Sequence, residues 1–356
     1  MNTSEEKNNI NEKPLITFAL FAYNQEKFIR EAVEGAFSQT YEPLEIILSD
    51  DCSTDNTFNI MQRMADIYKG PHTILLNRNE KRLGLGAHIN KVVQMCGGTL
   101  IVVAAGDDIS LPERTTVIFN LWIKQSCKPC LIYSNIVEIS EDGKILHTRD
   151  FSKEVTGGLL AEGFSWDYHD RLAYRTPPVH GASFAYQKKI FDYFGPIWED
   201  VYHEDNVLNW RAELIGGIAL CPEYLVKHRN HSQQMTNLYS PAALRRANEK
   251  RKLLTWSSLQ SSRQNIEDSK IALQEGIISE EIYSKACNYF GLFIQKKELE
   301  YRLYWGAFTE RWKTLFNHWQ QIIPDKRLTE ILFAVLPRPL YLAMLRLKAY
   351  YLQVLT

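Results

Sequence analysis

Apolar positions between residues 14 and 135 alternate between two spacings. Leu15-Ile16-Thr17-Phe18-Ala19-Leu20 is a short run of strand-forming residues, after which Phe28, Ile29, Ala32, Val33, Ala36 and Phe37 recur at helical spacing. Apolar runs at 44–48, 73–76 and 100–105 predict three further strands. The stretch 54–68 and the segment around Ile89, Val92 and Val93 predict two further helices. Continuous apolar strands separated by helices mean βαβ units, so the expected class is α/β, with a mostly parallel sheet and helices on both faces. Beyond it, Glu141-Asp142-Gly143 predicts a hairpin within 138–147. Residues 151–178 are irregular and aromatic, with Phe164, Trp166, Tyr168, His169 and Tyr174. Ser240-Pro241 reads as an N-cap and first helical residue, and helical patterns dominate from there.

Composition narrows the function classes. The 356 residues are 45% apolar and 23% charged, the balance of a globular protein. The formal net charge of -1 argues against a nucleic-acid partner, which would call for a basic excess. Of six cysteines, Cys127 and Cys130 form one CxxC without a second ligand pair at zinc spacing, and buried thiols of an intracellular protein are the expectation. The first 13 residues are polar and hold no apolar h-region, so a cytoplasmic location is expected.

In sheets of this class, ligands sit beyond the carboxyl ends of the strands. The residues there are Tyr23-Asn24, Asp50-Asp51 and Gly106-Asp107-Asp108, mostly carboxylates. In Ser49-Asp50-Asp51-Cys52-Ser53-Thr54-Asp55, one carboxylate has the chemistry to accept the imide N–H of a pyrimidine while Ser53 or Thr54 caps the following helix. A plain capping turn with solvated acids would read the same way. The pair Asp107-Asp108 after a buried strand suits Mg²⁺ or Mn²⁺, hard cations that prefer oxygen ligands and keep positions open for phosphate.

Taken in order, Phe21-Ala22-Tyr23-Asn24-Gln25-Glu26, Ser38-Gln39-Thr40-Tyr41, Glu45-Ile46-Ile47-Leu48-Ser49-Asp50-Asp51-Cys52-Ser53-Thr54-Asp55 and Gly106-Asp107-Asp108 closely resemble the donor domain of glycosyltransferase family 2. The resemblance extends over roughly residues 14–236 and implies the GT-A fold, a Rossmann-like sheet. It implies a catalytic domain at 14–239, with a nucleotide-sugar half at 14–135 and an acceptor-side half at 136–239. A disordered tail, 1–13, would precede it, and a helical region, 240–356, would follow.

The same resemblance implies roles. Asp51 would accept from the nucleotide base, Ala22, Tyr23 and Asn24 would line the nucleotide site, and Asp107 would lie near the ribose or metal. Asp108 would be the metal ligand of a motif usually written Asp-X-Asp, here Gly-Asp-Asp. Arg82 and Gly84 sit where the family places a loop near the donor. Tyr202-His203-Glu204-Asp205-Asn206 looks like the family's Glu-Asp motif at a helix start, which implies Asp205 as general base and Glu204 as its helper. Glu199-Asp200 is the competing pair. His180-Gly181-Ala182-Ser183-Phe184 resembles the acceptor-side wall. His228-Arg229-Asn230-His231-Ser232 resembles the family's Tyr-Arg-X-His stretch, with His228 in place of Tyr and His231 near the diphosphate or metal.

The implied reaction moves a sugar, with inversion, from a nucleoside diphosphate sugar (UDP or dTDP favoured, guanine not excluded) to a glycan or lipid-linked glycan. A metal-binding transferase of bacterial surface polysaccharide synthesis, such as lipopolysaccharide or capsule, is the expected setting. A sugar nucleotidyltransferase or an inactive nucleotide-sugar-binding module are the alternatives. Trp305, Phe308, Trp312, Leu315, Phe316 and Trp319 form a stripe expected to pack on the catalytic domain or on a second subunit of a homo-oligomer. Residues 331–355 are basic, aromatic and interrupted by Pro337 and Pro339. They read as a peripheral contact with the cytoplasmic face of the inner membrane rather than a span.

Overall fold

The computed structural model describes residues 13–125, 128–153, 181–231 and 241–317. Four parallel strands form the first half: β1 (Ile16–Ala22), β2 (Leu44–Asp50), β3 (Thr73–Arg78) and β4 (Leu100–Ala105), in the order β3-β2-β1-β4. They are joined by α1 (Ile29–Phe37), α2 (Thr57–Ile67) and α3 (Leu85–Met95). β1 and β2 are buried along their whole length, and the polar residues they carry are hydrogen-bonded, Glu45 accepting from Thr17 Oγ1 and the Gly97 amide and Asp50 from the Ser53 amide.

The second half is mixed. It contains β5 (Ile109–Ser110), α4 (Arg114–Lys124), β6 (Leu131–Ile139), β7 (Ile145–Arg149), β8 (Phe184–Gln187), α5 (Lys189–Phe194), α6 (Glu204–Ile215) and β9 (Ile218–Arg229). β8 runs antiparallel to both β4 and β6, while β6 and β9 are parallel, so the sheet continues β4-β8-β6-β9-β5 with β7 beside β6. The mostly parallel sheet expected from the sequence is found, all parallel across β3-β2-β1-β4 and mixed from β8 onward. The expected hairpin is the β6–β7 pair.

Side chains alternate across the sheet. Phe18 and Leu20 of β1 point into one core with Val33 of α1, Met61 of α2 and Trp122 of α4. Ala19 and Phe21 point into the other, with Val92 of α3, Ile190 of α5 and Leu208 of α6. Helices therefore cover both faces.

The C-terminal helices are α7 (Pro241–Gln274), α8 (Glu280–Trp305) and α9 (Phe308–Asn317). A third apolar cluster joins them to the sheet-bearing part of the chain through Trp210, Leu214 and Phe194, packed on Ala272, Ala286 and Phe290. Trp305 contacts Tyr301 and Tyr304, and Trp312 keeps 37% of its surface exposed. Cys127, His180, Trp319 and the 331–355 segment lie outside the described residues, as do 1–12 and most of the aromatic 151–178 stretch. Among the described residues, no helix is long and apolar enough to cross a membrane.

Candidate active site

The loops after β1 and β2 are stitched together backbone to side chain. Asn24, with φ of 52°, donates its N–H to Ser53 Oγ at 2.8 Å and accepts from Thr54 N through Oδ1 at 2.8 Å. An Asn tolerates this left-handed backbone because its short polar side chain bonds locally. Gln25 N donates to Thr57 Oγ1 at 2.7 Å. Tyr23 lies beside this seam, its ring under the Arg82 guanidinium at 4.2 Å. Ala22 ends β1 and is buried.

Asp50 and Asp51 divide their work. Asp50 turns inward, accepting from Ser53 N and Oγ and pairing with Arg78 at 3.7 Å. Asp51 accepts from Asn79 Nδ2 (2.8 Å), Leu83 N (2.8 Å) and Gly84 N (2.9 Å), so it pins the loop that precedes α3. Gly84 has φ of 83°, a conformation that favours glycine. Beneath this loop, burial lowers the His88 pKa to about 4 against the pull of Asp51, and the neutral ring meets Ser49 Oγ at 2.6 Å.

At the end of β4 the two aspartates also diverge. Asp107 Oδ2 lies 2.9 Å from His231 Nε2. Asp108 is buried and accepts the Arg229 backbone N–H at 2.9 Å. Burial first, and the Asp107 carboxylate second, raise the Asp108 pKa to about 7. Arg229 is itself buried and ties three elements together: its Nε donates to Asp107 O (3.0 Å), one terminal nitrogen to Glu141 O (2.9 Å) and the other to Glu31 Oε2 (2.9 Å). His228 sits against Glu138 at 3.0 Å, and that carboxylate with Asp108 raises the imidazole pKa despite burial.

The carboxylates Glu204 and Asp205 open α6. Burial and then the neighbouring Asp205 carboxylate raise the Glu204 pKa to about 8. Asp205 is raised as well, by burial, with His203 opposing. Glu204 reaches back to the turn Gly181–Ser183, where an added Cβ at Gly181 would stand 2.7 Å from Glu204 Oε1. Glu199 and Asp200 are exposed in the preceding turn.

These stations are mechanically joined. The Tyr202 ring lies 3.3 Å from where a Gly84 Cβ would stand, bringing the α6 motif against the loop held by Asp51. Arg114 on α4 is buried, bonds Ser110 Oγ (2.8 Å) and Ala182 O (2.8 Å), and is felt electrostatically by Asp108. It braces the wall beside Glu204 and the β4 end at once. Sequence reasoning missed Arg114, Asn79 and Glu138, and quoted Tyr202 only as part of its motif. For Arg114 on α4 and Glu138 on β6 the signal available was a charged residue on a largely apolar element, which reads equally as surface.

A metal can be tested against these residues. Among the described residues, no cluster of three His, Cys, Asp or Glu side chains is assembled to hold one. Asp107 and His231 offer one oxygen and one nitrogen donor side by side, a mixed set that fits Mn²⁺ better than Mg²⁺, which prefers oxygen ligands alone.

Known proteins align with this arrangement. The chain is 28% identical over 158 residues to the chondroitin synthase of Escherichia coli, covering 44% of this chain and 20% of that one. It is 34% identical over 105 residues to the putative glycosyltransferase EpsE of Bacillus subtilis, covering 30% and 37%. The chain therefore spans well under half the length of these curated relatives. Among solved structures, the S. aureus TarS 1-349 complex with UDP-GlcNAc superposes with a TM-score of 0.49 at 15% identity, over 86% of this chain and 91% of that one. The family model of glycosyl transferase family 2 matches residues 17–194, half of the chain, and the chain belongs to that family.

Proposed function

We propose that this protein transfers a sugar from a nucleoside diphosphate sugar to a hydroxyl of a glycan or lipid-linked glycan, with inversion at the anomeric carbon. The carrying observation is that the ends of β4 and β9 and the start of α6 hold two acidic stations, Asp107 against His231 and the buried pair Glu204 and Asp205. Asp51 uses three of the roughly four acceptor positions of a carboxylate on its own loop, leaving one for the imide N–H of uracil or thymine. This supports a UDP- or dTDP-sugar donor, with Tyr23 and Asn24 beside the base.

Asp107 and His231 would hold a divalent cation. When bound, the cation would neutralise charge developing on the departing diphosphate. Asp108 supports that end of the site by fixing the Arg229 backbone.

Asp205 takes the proton from the incoming hydroxyl. Two adjacent carboxylates in a partly buried pocket do not both ionise readily, and burial with the Asp205 charge raises the Glu204 pKa to about 8. Burial raises the Asp205 pKa while His203 and the Asn206 amide favour its anion, which makes it a stronger base than a solvated aspartate. A single displacement by the acceptor hydroxyl, with Asp205 as its base and no nucleophile assigned among the described residues, gives inversion.

Kinship to a protein named for chondroitin synthesis supports a glycan acceptor, in keeping with bacterial surface polysaccharide assembly on the cytoplasmic side of the membrane. Nucleoside diphosphate release from a panel of nucleotide-sugars, with lipid-linked acceptor extract added, tests the reading. Release from one donor is the expected result. Tight nucleotide binding without release from any donor would make the protein a binding module.

A further inference from the structure

The C-terminal helices dock on the catalytic half through a polar seam as well as an apolar one. On α7, Ser257, Gln264, Asn265, Asp268 and Ser269 are all buried. Asp268 grips Arg211 of α6 through two bonds, at 2.7 and 3.1 Å. Gln264 accepts from Trp198 N at 3.0 Å and donates to Pro196 O at 3.0 Å. Ser257 closes the seam, its Oγ accepting from Tyr202 N at 2.8 Å and from His203 N at 2.9 Å.

Those two amides immediately precede Glu204. His203, the N-cap of α6, makes no side-chain cap bond. A hydroxyl from a helix 54 residues further along the chain thus holds the entry to α6 instead. Its neighbour Ser258 reaches the His203 ring at 3.4 Å. We infer that Ser257 is a positioning residue for the Glu204–Asp205 pair, so that the C-terminal helical region completes the acceptor side of the active site. The inference rests on the reading of that pair as the base.

The physical argument is geometric. A carboxylate that deprotonates a hydroxyl must stay within hydrogen-bond reach of it, and a displacement of about 1 Å can cost on the order of a hundredfold in rate. With Ser257 removed, two neighbouring amides lose their acceptor and the turn before α6 is free to rotate. The groups around Glu204 are Asp205 and His203 beside it, Tyr186 on β8 and, acting on His203, Lys297 on α8. Loosening the turn admits water among them.

The test compares Ser257→Ala and Ser257→Thr in the full chain. Three quantities are read: steady-state transfer, nucleoside diphosphate affinity by calorimetry, and the Glu204 titration by carboxyl ¹³C NMR. For Ser257→Ala, kcat is expected to fall by about tenfold or more, with donor KM and nucleoside diphosphate affinity held within about twofold. The Glu204 midpoint moves down toward the ordinary carboxylate range. Ser257→Thr, which keeps the hydroxyl, restores both. Wild-type kcat and an unmoved Glu204 midpoint in the Ala variant overturn the inference. So does a Thr variant as impaired as Ala, or an Ala variant that loses nucleotide affinity in step with kcat. If the wild type transfers no sugar, the proposed function falls, and the Glu204 titration alone decides the role of Ser257.

Discussion

Asp107 Oδ2 and His231 Nε2 meet at 2.9 Å across a sequence separation of 124 residues. The contact joins the end of β4 to the segment that follows β9, so the two halves of the sheet meet at one acidic station. Asp108, next in sequence, faces the Arg229 amide instead. Adjacent carboxylates in a tight turn thus take different partners, Asp107 the His231 ring and Asp108 a backbone amide.

This split predicts different phenotypes. Asp107→Asn and His231→Ala should each weaken Mn²⁺ binding in the presence of nucleoside diphosphate by about 10- to 100-fold. Asp108→Asn keeps an acceptor for Arg229 N–H and should leave Mn²⁺ affinity closer to wild type. Mn²⁺ titration followed by electron paramagnetic resonance measures all three.

Asp51 should act on nucleotide affinity through the loop it holds. In Asp51→Ala, Asn79 Nδ2, Leu83 N and Gly84 N lose their acceptor together. Each orphaned buried donor costs about 1–3 kcal/mol. Nucleoside diphosphate affinity is expected to fall by about tenfold or more, measured by calorimetry.

Glu204 ties stability to pH with a definite sign. Its folded pKa, about 8, lies above that of an ordinary carboxyl, so the native state holds the proton more tightly than the unfolded chain. Its contribution to stability is complete below the ordinary value and is lost as pH rises through about 8. The Tm should decline across that window, and Glu204→Gln should flatten the decline. A thermal melt series on both proteins reads the difference.

The Arg211–Asp268 pair should be a weak point of the interface between α6 and α7. Both side chains are buried, and Arg211 also bonds Gly195 O at 2.8 Å. Asp268→Ala leaves a guanidinium without its counter-charge, at a cost of about 3–5 kcal/mol. Urea denaturation should show the midpoint fall by a corresponding amount. Truncation after residue 239 would uncover Trp210, Leu214 and Phe194 and should yield an aggregating fragment.

How far such features can be read from sequence depends on their physics. β1 to β4 were readable because each is a continuous apolar run bounded by a helix of regular spacing. The carboxylates at their ends stood out because acids rarely follow buried strands without purpose. β9 was not readable: Pro222 and Glu223 break its apolar pattern at an exposed stretch, and His228 breaks it again because it finds Glu138 inside the fold. The α7 seam stayed hidden for a related reason. Ser257, Gln264 and Asp268 look like a solvated face until the loop before α6 is laid against them. Which of Asp107 and Asp108 faces the site depends on a turn that adjacency alone does not specify.

The central claim is most directly tested by nucleoside diphosphate release from a nucleotide-sugar panel, with Mn²⁺ or Mg²⁺ against EDTA. Wild type, Asp107→Asn and Asp205→Asn are compared, with acceptor extract present. The account predicts metal-dependent release from one donor by wild type and loss of at least about a hundredfold in both variants. Release that persists in both variants, or no release by wild type from any donor, would contradict it.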